Sequence, residues 1–170
     1  AYMSTGEEHG DVPTKNWAKG SFEGNEILSA PNYTEEIVKD RLPCSYCPLG
    51  CHRDVEVKEP EKYSNRGPGP EYETLAMIGQ NCLIDDLKAV AKANDLCNRY
   101  GIDTIGLGGS LAYLMECKEK GYLDDLETDI DFSWGNPDAP IEYIEKVGER
   151  EGIGEIAAEG ILNLVDYIGE

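Results

Sequence analysis

The sequence predicts an all-α fold, a multihelical domain with an irregular N-terminal lead-in and a cysteine-rich loop. Beyond residue 70, apolar residues recur with the period of a helix that buries one face. Glycine follows several of these apolar runs, and glycine is common just past the end of a helix. The alternating pattern of a half-buried strand occupies one short segment only. We therefore expect a single domain over residues 1–170, with a helical core over residues 32–170.

Charge is the outlying feature of the composition. The 170 residues include 34 acidic and 15 basic side chains, and the net charge is −19. Such a surface repels phosphate backbones and anionic lipids, so nucleic acid and membranes are not expected partners. No apolar run approaches the roughly 20 residues of a membrane span. The first residues have neither the basic start nor the apolar stretch of a secretory signal, which predicts a cytoplasmic location.

The part of the chain before the cysteine-rich loop predicts little regular structure. Residues 1–31 are polar and dotted with glycine, and we expect an irregular lead-in. The segment NYTEEIVKDRL, residues 32–42, predicts a short helix with Asn32 or Thr34 as its N-cap. Pro43 would end that helix just before the loop.

The segment that follows the loop, residues 52–70, begins with the alternating pattern and ends in a stretch dense in glycine and proline. A strand is one interpretation of the alternation, but no hairpin partner for it is evident in the sequence. The remainder of the segment predicts a loop.

Helical periodicity dominates the chain from residue 71 onward. Asp85 is a plausible N-cap for the first long helix, and Gly101 follows its end. Pro137 suits an early position in the third. We interpret the apolar faces of all these helices as core. The predicted long helical segments are residues 83–101, 109–121, 137–151 and 154–169.

Three of the six cysteines lie close together in LPCSYCPLGC. Cys44, Cys47 and Cys51 have the spacing C-x2-C-x3-C. Thiolates favour zinc, copper(I) or iron–sulfur clusters. Structural zinc sites usually pair two short ligand units, and a second unit is missing here. Three clustered cysteines with one remote ligand are typical of iron–sulfur proteins, so a cluster is favoured, while zinc and a metal-free loop stay open.

The other three cysteines have a simpler interpretation. Cys82, Cys97 and Cys117 fall in helical or apolar segments. An unmodified cysteine in such a segment behaves as a small hydrophobic residue. We expect these three side chains to be buried in the core.

Glu73 is a candidate catalytic residue, because it follows the loop RGPGP, which can pass close to a ligand. A carboxylate at the mouth of such a loop can act as a general acid or base if burial raises its pKa. The simpler alternative is a glutamate in the first turn of a helix, where the helix dipole favours a negative charge.

Asn98, Gly101 and Asp103 lie on the predicted turn between two helices. Polar side chains and a free helix start can hydrogen-bond the ring nitrogens and amino group of a heterocycle. The same residues also suit a helix C-cap at Gly101 and the next N-cap at Asp103 or Thr104, and both roles are compatible.

Several stretches together resemble the aldehyde:ferredoxin oxidoreductases, which are tungsten- or molybdenum-pterin enzymes. The resemblance covers nearly the whole chain. It rests on VPTKNW (12–17), CSYCPLGC (44–51), GPEYETL (69–75), IGQNCLIDDL (78–87), ANDLCNRYGIDTI (93–105) and GIGEIAAEG (152–160).

The resemblance implies specific cofactor roles. Cys44, Cys47 and Cys51 match three ligands of the family's [4Fe–4S] cluster, whose fourth ligand lies downstream, beyond residue 170. Glu73 matches the carboxylate that is proposed to assist proton transfer near the metal. The first pterin motif, D-x-x-G-x-D, reads as Asn98 to Asp103 here, with Gly101 retained and an amide replacing the first aspartate.

The resemblance also implies a function. The chain is similar to the first helical domain of an enzyme that oxidises aldehydes to carboxylic acids and passes electrons through the cluster to ferredoxin. A tungsten or molybdenum bis-pterin would be shared with the remaining domains, so we expect no activity from this segment alone. Two alternatives are a stand-alone electron-transfer module and a zinc-stabilised structural domain.

Overall fold

Helices build most of the chain, but a small antiparallel sheet interrupts them. The structure is a computed structural model that describes residues 2–124 and 126–169. The all-α prediction is right for the helical majority and wrong for residues 38–68, which contain the sheet. In chain order the helices and strands are α1 (Tyr2–His9), α2 (Asn25–Leu28), α3 (Ala30–Glu36), β1 (Val38–Leu42), β2 (His52–Val57), β3 (Asn65–Pro68), α4 (Tyr72–Thr74), α5 (Leu87–Tyr100), α6 (Thr104–Glu119), α7 (Ala139–Glu149), α8 (Ile153–Ala158) and α9 (Ile161–Ile168).

The N-terminal segment is more ordered than the predicted lead-in. It contains α1 and α2, and the side chains of Met3 and Leu28 are buried. Distant groups hold it in place. Asn25 Nδ2 donates to Gln80 Oε1 at 2.6 Å and to the Met3 carbonyl at 3.2 Å. A short helix fixed by contacts of this range leaves little periodicity in its own sequence.

The helix predicted over residues 32–42 is wrong in its second half. Helix α3 ends at Glu36, and the chain continues as strand β1. The N-cap position is Ser29 rather than Asn32 or Thr34, and no side chain caps it. The side chains of β1 are largely exposed, so the strand is held by pairing with β2 rather than by burial.

Strand β2 is the central strand of the sheet and pairs with two strands that the sequence did not predict. It pairs antiparallel with β1, with Leu42 opposite His52, and antiparallel with β3, with Val57 opposite Asn65. Val55 and Val57 are buried, which explains the alternating pattern. The cysteine-rich loop, residues 43–51, is therefore the connection between β1 and β2.

A continuous segment that changes from one helix type to another runs from α4 into the core. A π-helix (Leu75–Gly79) and a 3₁₀ turn (Gln80–Cys82) follow α4 directly, and every residue of the π-helix is buried. The π-helix packs against α6 at Gly108, where a Cβ would lie 2.6 Å from the Met77 carbonyl carbon. This close approach fixes α4 relative to α6.

The two longest helices end within two residues of their predicted ends, but α6 begins five residues before the predicted start at 109 and α5 begins four residues after the predicted start at 83. The N-cap of α5 is Asp86 rather than Asp85, and its carboxylate accepts the backbone N–H groups of Lys88 and Ala89 at 3.0 Å. Gly101 ends α5 with φ = +73°. Asp103 caps α6 by accepting the Gly106 N–H at 2.6 Å. The predictions for Gly101 and Asp103 as caps are confirmed.

The last two predicted helices become three. Helix α7 carries Pro140 in its first turn, whereas Pro137 precedes the helix. The single helix predicted over residues 154–169 is divided into α8 and α9 at Gly160, where φ is +104°. A side chain rarely adopts that backbone conformation, so the break requires glycine.

The three remaining cysteines lie in the core, as predicted. Cys82 and Cys97 are fully buried, and Cys117 is 2% exposed. They share the core with large apolar side chains of α5, α6 and α7, and Leu111, Leu114 and Ile144 are fully buried there. Burial raises the pKa of Cys82 and of Cys97, because a thiolate is poorly solvated inside protein.

Candidate cofactor site

The three cysteines of the loop are accessible. Cys44 and Cys51 are exposed, Cys47 is half-buried, and none of them is in a disulfide. The Cys47 N–H donates to the Cys44 carbonyl at 2.9 Å, which forms a tight turn between the first two thiols. Positive φ angles at Tyr46 and Gly50 reverse the chain within the loop. The apolar side chains of Tyr46 and Leu49 face solvent.

The thiols share one loop but do not converge on a single point. Across residues 2–124 and 126–169, no three histidine, cysteine, aspartate or glutamate side chains are grouped as ligands of a metal ion. The donor set nevertheless fits an iron–sulfur cluster chemically. It consists of three accessible thiols on a surface loop whose rearrangement would leave the core undisturbed.

Arg53 is a residue of this region that the sequence did not single out. It lies in β2, and its Nη1 donates to the Cys51 carbonyl and lies 3.5 Å from the Gly50 carbonyl oxygen. Its own carbonyl accepts the Gly69 N–H at 2.9 Å. The side chain therefore turns back from the sheet onto the end of the cysteine loop.

A groove of about 450 Å³ brings most of the predicted pterin and catalytic residues together. Its walls come from the end of β3, from α4 and from the turn between α5 and α6. The lining residues are His52, Pro68, Gly69, Glu71, Glu73, Thr74, Asn94, Asn98, Ile102, Asp103, Thr104 and Ile105. Glu73, Asn98 and Asp103 thus face one volume, although they are separated by up to 30 residues in the sequence.

Gly101 lies just outside this groove. It lines the adjacent cavity, of about 470 Å³, which shares Ile102 and Asp103 with the groove. No atom lies within 4 Å of the position that a Cβ on Gly101 would occupy. The turn therefore offers bare backbone that a planar heterocycle can approach closely.

Glu73 is placed by the helix start at α4. Glu71 occupies the N-cap position, and its carbonyl accepts the Leu75 N–H at 3.1 Å. The hydroxyl groups of Thr74 and Thr104 are 2.9 Å apart, which ties α4 to the start of α6. Glu73 itself is exposed and lies in the first turn of α4, so the simpler interpretation as a dipole-stabilised glutamate also fits.

Asn94 is a further groove residue that the motif did not include. It is buried, and its Nδ2 donates to the Pro68 carbonyl at 2.9 Å, which joins α5 to the end of β3. Asn94 lies one helical turn before Asn98, so both project from the same side of α5. That spacing was the sequence signal for its position.

Glu71 links the groove to the cysteine loop. Its carboxylate oxygen lies 3.7 Å from His52 Nδ1 in the groove. Glu71 also lines a smaller cavity, of about 150 Å³, together with Tyr33, Cys51 and Arg53. The candidate cluster ligands and the candidate pterin residues are therefore neighbouring parts of one surface.

The fold of this chain also occurs in a known structure. A solved structure with the same fold is the active-site complex BamBC of benzoyl coenzyme A reductase, determined with 1,5-dienoyl-CoA. The TM-score is 0.75 and the identity is 18%, over 99% of this chain and 26% of that chain. At this identity the likeness establishes the architecture alone.

The family follows from the sequence comparison. The family model "Aldehyde ferredoxin oxidoreductase, domains 2 & 3" matches residues 1–170, and the chain belongs to this family. This confirms the resemblance drawn from the motifs.

Named relatives agree with this membership. The tungsten-containing aldehyde ferredoxin oxidoreductase of Thermococcus kodakarensis is 38% identical over 95% of this chain. The protein of the same name from Pyrococcus furiosus is 37% identical over 95% of this chain. The aliphatic sulfonate oxidoreductase WOR-like subunit of Pyrococcus furiosus is 26% identical over 98% of it. The chain spans about a quarter of the length of these relatives, 26–27%.

Among the described residues, none of the helices combines the length and the apolar character that crossing a bilayer requires.

Proposed function

We propose that this chain forms part of a tungsten-pterin, iron–sulfur oxidoreductase that converts aldehydes to carboxylic acids. The observation that carries the proposal is the groove in which Glu73, Asn98 and Asp103 meet, next to the loop of Cys44 to Cys51. The family membership and the names of the tungsten-containing relatives support it.

In this proposal the loop cysteines hold a [4Fe–4S] cluster. Cys44, Cys47 and Cys51 would supply three thiolate ligands, and the fourth would come from a part of the enzyme outside these residues. The buried cysteines are poor candidates for the fourth ligand. Cys82, for example, is enclosed by the core, and its Sγ lies 3.5 Å from the Met77 carbonyl oxygen. That enclosure also weighs against the zinc-stabilised alternative.

Asn98, Gly101 and Asp103 would bind one pterin of a tungsten or molybdenum bis-pterin cofactor. Asn98 presents an amide that both donates and accepts hydrogen bonds, and Gly101 lets the ring approach the backbone. One carboxylate oxygen of Asp103, Oδ2, accepts the capping hydrogen bond of α6. An ionised carboxylate can accept further hydrogen bonds as well. When bound, this cofactor supplies the two-electron oxidation chemistry.

Glu73 would act on a proton of the substrate. The Thr74–Thr104 hydrogen bond ties the helix start that carries Glu73 to α6, and the side chains of Glu73 and Asp103 line the same groove. A catalytic group carried on a fixed backbone is already placed beside the substrate site, which reduces the entropy lost on reaching the reacting geometry. The remaining domains of the enzyme would close the groove, exclude water and complete the aldehyde pocket. Ferredoxin would receive the electrons from the cluster.

The proposal is tested on the natural full-length protein that contains this chain, purified without oxygen. We expect iron and acid-labile sulfide in about equal amounts, with tungsten or molybdenum, and aldehyde-dependent reduction of a viologen dye. The 170-residue segment alone should not reduce the dye. One equivalent of zinc with no sulfide in the full-length protein would overturn the cluster assignment.

Two variants and one control separate the proposed roles. Cys47→Ser should lose iron and sulfide, whereas Cys97→Ala, which removes a buried thiol, should retain both. Glu73→Gln should keep the cofactors and lose turnover by about 100-fold or more, the usual range for a general acid or base. A Glu73→Gln enzyme with undiminished turnover would remove Glu73 from the mechanism.

A further inference from the structure

Arg53 has an unusual position for a charged residue of a sheet. Its backbone is fixed on both sides, because it lies opposite Arg41 on β1 and its carbonyl accepts the Gly69 N–H at 2.9 Å. Its side chain leaves the sheet and reaches back along the chain. There Nη1 donates to the carbonyl of Cys51 and lies 3.5 Å from the carbonyl oxygen of Gly50.

These contacts restrain the end of the loop that carries Cys51. Gly50 has φ = +52°, and no atom lies within 4 Å of the position that its Cβ would occupy. At the other end of the loop, the Cys47 N–H bond to the Cys44 carbonyl forms the first turn. Arg53 thus supplies, at the Cys51 end, the restraint that a backbone turn supplies at the Cys44 end.

The guanidinium also places a permanent positive charge beside Cys51 in a chain whose net charge is −19. Arg53 and Glu71 line the same cavity of about 150 Å³ as Cys51 and the buried Tyr33 hydroxyl. Their opposite charges both act on the Tyr33 hydroxyl. Burial and Glu71 raise the pKa of Tyr33, and Arg53 opposes that rise.

We propose that Arg53 is a positioning residue that fixes the Cys51 end of the loop and raises the reduction potential of the cluster bound there. This inference rests on the iron–sulfur assignment of the proposed function. Reduction adds one electron to a cluster that is already anionic with its thiolates. A nearby fixed cation stabilises the reduced form, since cluster potentials depend on local net charge and hydrogen bonding.

The experiment uses the full-length protein with its cluster and compares three variants. Arg53→Gln removes the charge but keeps an N–H donor. Arg53→Lys keeps the charge but loses the planar fork of donors. Arg41→Gln is the matched control, because it removes an equal charge from the exposed residue directly opposite Arg53. The measurements are a redox titration followed by electron paramagnetic resonance, and the rate of iron loss to a chelator.

We expect Arg53→Gln to shift the one-electron equilibrium toward the oxidised cluster by about tenfold, which equals about 59 mV. Arg41→Gln should shift it much less. Arg53→Lys should keep the potential close to that of the wild type and lose iron faster than the wild type does. Equal potentials and equal iron loss in Arg53→Gln and Arg41→Gln would overturn the inference, while a wild-type protein without iron and sulfide would overturn the proposed function instead.

Discussion

The contact between Gly108 of α6 and the π-helix gives a sharp test of how the site is held. A methyl group added at Gly108 would lie 2.6 to 2.7 Å from the carbonyl carbon, carbonyl oxygen and Cβ of Met77, where ordinary contact begins at 3.4 Å. Two of these three atoms belong to the backbone, so relief requires the π-helix to move. The adjacent Gly109 is a matched control, because its added methyl would meet only the flexible end of Met77, at 3.6 Å.

The expected magnitudes follow from two opposing effects. Replacing glycine by alanine inside a helix stabilises a protein by about 0.5–1 kcal/mol, and this gain is common to both variants. Overpacking of a tight core contact costs about 1–3 kcal/mol and applies to Gly108→Ala alone. The free energy of unfolding of Gly109→Ala should therefore exceed that of Gly108→Ala by about 1–3 kcal/mol.

Urea denaturation of the 170-residue chain and of its two variants measures this difference. The unsubstituted chain must unfold in one cooperative transition for the free energies of unfolding to be compared. If the proposed function holds, Gly108→Ala should also lower the turnover of the full-length protein more than Gly109→Ala does, because α4, which carries Glu73, continues directly into the π-helix. Equal stabilisation by the two substitutions would refute the close-packing argument.

Two further predictions concern capping and thiol reactivity. Asp86→Ala should lower the free energy of unfolding by about 1 kcal/mol, because it removes the N-cap of α5. Asp85→Ala should have a smaller effect, and chemical denaturation of both variants measures the difference. In the metal-free 170-residue chain at pH 8, iodoacetamide should label the three loop cysteines and spare Cys97, whose pKa is raised to about 12 by burial and by Asp103. Because the thiolate forms only as the pH rises toward that pKa, labelling of folded Cys97 at pH 8, detected by mass spectrometry, would contradict its burial.

The position of the cysteine loop has a consequence for the assembly that the proposed function requires. The loop is the turn of a small sheet whose first strand is mostly exposed, and Tyr46 and Leu49 at its tip face solvent. In relatives, the equivalent segment is about a quarter of a longer chain. Under the proposed function, the missing ligand and the missing half of the pterin site would approach this same face.

Much of the helical core could be predicted from the sequence, because the signals are local. The apolar face of α5, the C-cap at Gly101 and the N-cap at Asp103 depend on residues within one or two turns of each other. The burial of Cys82 and Cys97 followed from the apolar character of their own segments. The motifs likewise sufficed to recognise the family.

Tertiary structure alone decided how the strands pair and the shape of the site. Strand β1 has mostly exposed side chains and adopts its conformation because β2 pairs with it across the loop, a long-range contact that leaves no alternation in residues 38–42. Glu73 and Asp103 face one groove only because the Thr74–Thr104 hydrogen bond and the close approach at Gly108 bring α4 onto α6. The sequence carried no signal for the contact between Arg53 and the cysteine loop, since that contact depends on where the side chain turns after the sheet has formed. Local periodicity determines helices, whereas contacts between distant segments determine which side chains meet.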